Sequence, residues 1–83
     1  MTELDELIDT LGRLREARRL SAELTREKER RLRLVHTALG LPKTGPRGVA
    51  AVVRAELERR GWSRADIEEV GVSNMTVRMA LDR

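Results

Sequence analysis

The chain has 83 residues, 17 Lys and Arg against 14 Asp and Glu for a net charge of +3, and Trp62 as its only aromatic side chain. This is the length of one small domain, and its wealth of helix formers with no Phe or Tyr predicts an all-α fold. The absence of Cys and a lone His36 leave no disulfide framework, thiolate nucleophile or Cys- or His-based metal site, so an enzyme, a cofactor and a small-molecule ligand are not expected.

The N-terminal part, residues 1–40, reads as one long amphipathic helix. Apolar residues recur at Leu4, Leu7, Ile8, Leu11, Leu14, Ala17, Leu20 and Leu24, thin out through Thr25 to Arg31, and return at Leu32, Leu34, Val35, Ala38 and Leu39. Thr2 with Asp5 three residues on gives an N-cap and an acidic first turn. A helix of this length is a rod of roughly 50 Å. The remaining residues look too few to cover its stripe, which predicts a coiled-coil homodimer through Leu4, Leu7, Ile8, Leu11, Leu14, Leu20 and Leu24. The heptad slips between Ala17 and Leu20, so a long regular zipper is not expected. Glu3 to Asp9 are acidic and Arg13 to Arg19 basic, an order that suits an antiparallel overlap between chains. These charges read equally as a solvated face.

Residues 41–48 (LPKTGPRG) hold both prolines and read as a linker ending the helix near Gly40. From Arg47 to Arg60 apolar residues recur at Val49, Val52, Val53 and Leu57, which predicts a helix closed by Gly61. Ser63 caps a short helix running to Val70, and Ser73 precedes a third helix over Asn74 to Asp82 with Val77, Ala80 and Leu81 inward. Residues 49–83 are thus expected to form a trihelical unit without a β-wing. No run of 18 apolar residues or signal-like N-terminus is present, so no membrane association and a cytoplasmic location are expected. Arg supplies 15 of the basic residues and Lys only Lys28 and Lys43. That suits phosphate or guanine contact, and it is also what GC-rich coding produces.

The stretch from Ser63 to Leu81 contains Gly71-Val72-Ser73-x-x-Thr76-Val77, preceded by Val70 and followed by Leu81. It resembles the helix-turn-helix of small bacterial and phage DNA-binding regulators. Gly71 suits a sharp turn at positive φ, Val72 fills the angle, and Ser73 caps the second helix. One departure is visible: the positions five and four before the glycine hold Asp66 and Ile67 in place of an apolar residue and Ala. The first helix is therefore expected to be shorter or rotated.

The resemblance implies that Asn74, Met75, Met79 and Arg78 face base edges in a major groove. It implies that Ser73, Thr76, Arg64 and Arg60 grip phosphate, with Arg47 and Lys43 of the linker as a possible arm. The function it implies is sequence-specific binding of double-stranded DNA by a dimeric transcriptional repressor or mobile-element regulator. Recombination or packaging factors are variants of the same reading. Plainer roles stand beside these: Lys43 and Arg47 as exposed linker charges, Met75 and Met79 as gap fillers, Trp62 as a core residue, His36 as surface or interface. Glu56, Glu58, Glu68 and Glu69 are expected to point away from DNA. The rival from another class is a protein-interaction module whose long helix docks a sigma factor, antitoxin or assembly partner.

Overall fold

The computed structural model describes residues 2–17 and 21–83, and the chain over these residues is all-helical. Helix α1 spans Glu3–Ala17, α2 Ala22–Leu39, α3 Val49–Arg59, α4 Arg64–Glu69 and α5 Asn74–Leu81. The caps follow the side-chain chemistry. Thr2 Oγ1 accepts from the Asp5 amide at 3.1 Å, while Asp5 Oδ2 accepts from the Thr2 amide at 3.4 Å. Ser21, Ser63 and Ser73 are the N-caps of α2, α4 and α5 and accept from Leu24, Asp66 and Thr76 amides respectively. Gly40 closes α2 at φ 61°.

The single long helix expected over residues 1–40 is two helices. Ser21 has extended backbone angles (φ −111°, ψ 126°) and starts α2 afresh. Only residues 18–21 separate α1 from α2, so the second helix returns antiparallel to the first. Arg31 of α2 reaches back to Glu6 near the start of α1 at 2.7 Å. The described residues measure 30 × 26 × 26 Å, well short of a 50 Å rod.

This changes what covers the leucine stripe. Leu7, Ile8 and Leu11 of α1 lie in one core with Leu32 and Val35 of α2, Val49, Ala50, Val53 and Leu57 of α3, Ile67 of α4, and Val77, Ala80 and Leu81 of α5. Leu4 and Leu14 pack against that core and Leu24 is half-buried; Leu20 lies outside the described residues. Half of the expected rod therefore covers the other half, and Leu7, Ile8 and Leu11 of the face named for a dimer are buried inside their own chain. The acidic start of α1 meets basic residues other than the Arg13–Arg19 stretch expected to face it. Besides Glu6–Arg31, Asp5 of α1 pairs with Arg60 at the end of α3 at 2.6 Å.

Residues 41–48 are tied down more firmly than a linker. Gly48 donates to Gly45 O at 3.1 Å and Val49 to Pro42 O at 3.0 Å. A Cβ on Gly48 would come within 2.7 Å of Thr44 backbone, so only glycine allows the loop to close onto the N-terminus of α3. Trp62 is half-buried against the core, as expected, with the Arg15 guanidinium 3.9 Å from its ring centre. Among the described residues no helix is long and apolar enough to cross a membrane.

Two outcomes follow from the shared core. Leu7→Asp or Leu11→Asp places an unpaired carboxylate where the side chain is 0% exposed. Circular dichroism and sedimentation should find an unfolded chain, with a cost of about 4 kcal/mol or more, instead of a folded monomer. The Asp5 carboxyl is held below its ordinary value of 3.8, chiefly by the Arg60 hydrogen bond and then by Thr2. Its contribution is present above pH 3.8 and is lost as pH falls through the lowered value. In Asp5→Asn that part of the acid dependence should vanish from unfolding free energies measured between pH 2 and about 6.

Candidate nucleic-acid interface

The turn between α4 and α5 is built from four residues with separate tasks. Val70 caps α4 and is 3% exposed; Gly71 takes φ 66°; Val72 is 1% exposed; Ser73 starts α5. The positive φ at Gly71 is a conformation that side-chain-bearing residues adopt only at a cost. Ser73 Oγ accepts from the Thr76 amide at 3.2 Å and lies 2.9 Å from Thr76 Oγ1. Helix α4 has six residues and buries Ile67, with Asp66 at its outer edge, so the departure at these two positions accompanies a short first helix.

Two cations from other helices hold this turn. Lys28 of α2 donates from Nζ to Val70 O and to Gly71 O, each at 3.2 Å, and is only 7% exposed. Arg54 of α3 donates from Nη1 to Val72 O at 2.8 Å. Three consecutive carbonyls past the end of α4 thus face cations, which suits the negative end of a helix. Burial pushes the Lys28 ammonium below the usual lysine range, against the opposing pull of Glu29. At the far end of α5, Arg33 of α2 donates to Ala80 O at 3.4 Å. Helix α5 is therefore gripped from α2 and α3 along its inner side.

Its outer side is open. Val77, Ala80 and Leu81 face the core, while Asn74, Met75, Arg78 and Met79 are exposed, Met75 at 74% and Met79 at 57%. The four residues expected to face bases thus share one uncovered face. A cavity of about 310 Å³ runs along it, lined by these four with Thr44 and Asp82. A second, of about 450 Å³, lies at the start of α5 between Arg54, Glu68, Ser73 and Asn74.

The residues expected on phosphate are more scattered. Ser73 and Thr76 sit at the start of α5, their hydroxyls engaged with one another. Arg64 is exposed and 3.4 Å from Glu68. Lys43 reaches α5 from the loop and binds Asp82 at 2.8 Å, and Arg78 lies 3.7 Å from the same carboxylate. Lys43 holds the Asp82 carboxyl below its ordinary value. Arg47 is exposed in the loop. Arg60 is the exception: Asp5 and Glu56 hold it at 2.6 and 3.1 Å, directing it toward α1. Arg60 closes the end of α3 beside α1 and lines neither cavity along α5.

Sequence reasoning missed the two anchors. Lys28 falls where the apolar seam was read as thin, yet Leu24, Lys28 and Leu32 are spaced by four. A polar residue on that line was the available signal for a buried ammonium. Arg54 carried no signal of its own. Glu68 was expected to turn away from DNA, but it borders the cavity at the start of α5, because it shares the exposed side of α4 with Arg64.

Replacing Lys28 by Met removes a desolvated charge but leaves two carbonyls without their donor. The second effect is the larger, because Val70 is buried and water reaches its carbonyl poorly. Urea unfolding should show a loss of about 1–2 kcal/mol. Amide exchange over Val72–Val77 should accelerate more than over Leu7–Leu11. Comparison of the chain with protein-family models, curated proteins and solved structures finds no match.

Proposed function

We propose that this chain binds double-stranded DNA by laying the outer face of α5 in the major groove, with α4 and α5 as a helix-turn-helix. The observation that carries this reading is the contrast between the two sides of α5. One side is sealed into the core and clamped through Lys28 and Arg54; the other presents Asn74, Met75, Arg78 and Met79 to solvent. A helix two turns long with a rigid base and an uncovered polar and thioether face suits insertion between phosphate strands. Arg78 lies on that face, Lys43 meets Asp82 at its end, Arg54 borders the cavity at its start, and Arg64 is exposed on α4. They supply the phosphate contacts, with Arg54 taking the place that Arg60 was expected to fill.

The regulatory role follows from the same contacts. One unit with a few base-reading side chains discriminates weakly, at about 1–3 kcal/mol per good contact. A repressor or mobile-element regulator would join two units on half-sites roughly 34–36 Å apart, or a multiple of that. The leucines of α1 are inside the core, so such pairing would use another surface or the DNA itself.

A protein-binding role for α5 has one observation in its favour: Asp82 and Glu68 stand at the two ends of the exposed face, where they oppose phosphate. The two readings part in a salt titration. Duplex affinity should fall steeply with salt, and Arg64→Ala or Arg78→Ala should each reduce the log–log slope by about 1. Failure to bind any duplex at low salt overturns the proposal in favour of a protein partner.

A further inference from the structure

Met75 and Met79 are the most exposed large apolar side chains among the described residues. They stand one helical turn apart on the same face of α5, about 6 Å along its axis. Nothing apolar rims them: their cavity is completed by Thr44, Asn74, Arg78 and Asp82. Two thioether chains in a polar frame form a patch much smaller than the several hundred Å² typical of a protein-docking surface. The chemistry that fits is a small, isolated apolar group surrounded by polar ones. In the major groove that group is the C5-methyl of thymine.

The spacing is also suited to it. A helix lying in the groove advances about one base pair for every three to four residues, so Met75 and Met79, about 6 Å apart along the axis, correspond to about one base step. Asn74, next to Met75, carries the paired donor and acceptor that match adenine N7 and N6. Arg78 lies 3.7 Å from Asp82 at the C-terminal end of α5.

On the footing of the DNA-binding reading, we propose that α5 selects A·T pairs by thymine-methyl contact. Met75 and Met79 cover C5-methyl groups about one base step apart, and Asn74 reads an adenine beside the first. The specificity then rests on apolar contact as much as on hydrogen bonding.

The test uses the full chain. Duplexes are selected from a randomised pool, and each thymine in the enriched site is replaced in turn by deoxyuridine, which keeps pairing and charge but lacks the methyl. At two positions about one base step apart, uracil should weaken binding about fourfold, the value expected for one buried methyl. Elsewhere it should have no effect. Met75→Ala should abolish the uracil penalty at one position and Met79→Ala at the other, with circular dichroism unchanged because both side chains are exposed. Tight, selective binding that ignores uracil, or an enriched site without thymine, overturns the methyl readout and leaves duplex binding intact. Enrichment of no duplex overturns both.

Discussion

A buried ammonium holds the most informative part of this structure together. Lys28 leaves α2, passes into the interior and donates to the carbonyls of Val70 and Gly71, which the end of α4 leaves without helical partners. Taking a lysine out of water is costly, and the depressed proton affinity of Lys28 reflects that cost. The site offers compensation in two aligned carbonyl dipoles and the negative end of a helix. Because the contact joins residues 42 and 43 positions apart, it forms only when the α1–α2 hairpin and the α3–α5 unit have both come together. The two parts of the chain share one core for the same reason.

The hairpin makes that arrangement possible. Helix α1 has a stripe that must be covered, and α2 covers it while presenting a second surface to α5. In α2, Leu32 and Val35 are fully buried, Lys28 reaches the turn and Arg33 reaches the end of α5. The acidic start of α1 then meets Arg31 and Arg60 from α2 and α3. What reads in one dimension as a zipper helix serves in three dimensions as a buttress for the final helix.

Charges over the described residues are balanced more finely than the net charge of +3 suggests. Many of the arginines lie in ion pairs with their own chain, among them Arg13 with Asp9, Arg30 and Arg31 with Glu27, Arg64 with Glu68 and Arg83 with Glu29. Exposed pairs of this kind contribute about 0–1 kcal/mol each, so a polyanion can displace the carboxylates cheaply. In the proposed binding to DNA, the same carboxylates would temper non-specific affinity and leave more of the discrimination to the exposed face of α5.

Much of the architecture was readable in the residues. The punctuation at Gly40, Gly61, Ser63, Gly71 and Ser73 marks the ends of helices, and the alternation of Val77, Ala80 and Leu81 with Asn74, Met75, Arg78 and Met79 separates the two faces of α5. These are local properties, set by backbone freedom, side-chain capping and helical period. Periodicity states that the α1 stripe needs a cover but carries no information on which surface supplies it. A break at Ser21 turned a presumed neighbouring chain into the same chain. The placement of Lys28, Arg54 and Arg60 was likewise unreadable, since a long cationic side chain goes to whichever carbonyls or carboxylates the packing brings near. The sequence alone determined the helical character of the chain, the caps from Gly40 onward and the outward side of α5. The tertiary structure decided what buries the leucines and which cations brace the turn, because both depend on contacts between residues far apart in the chain.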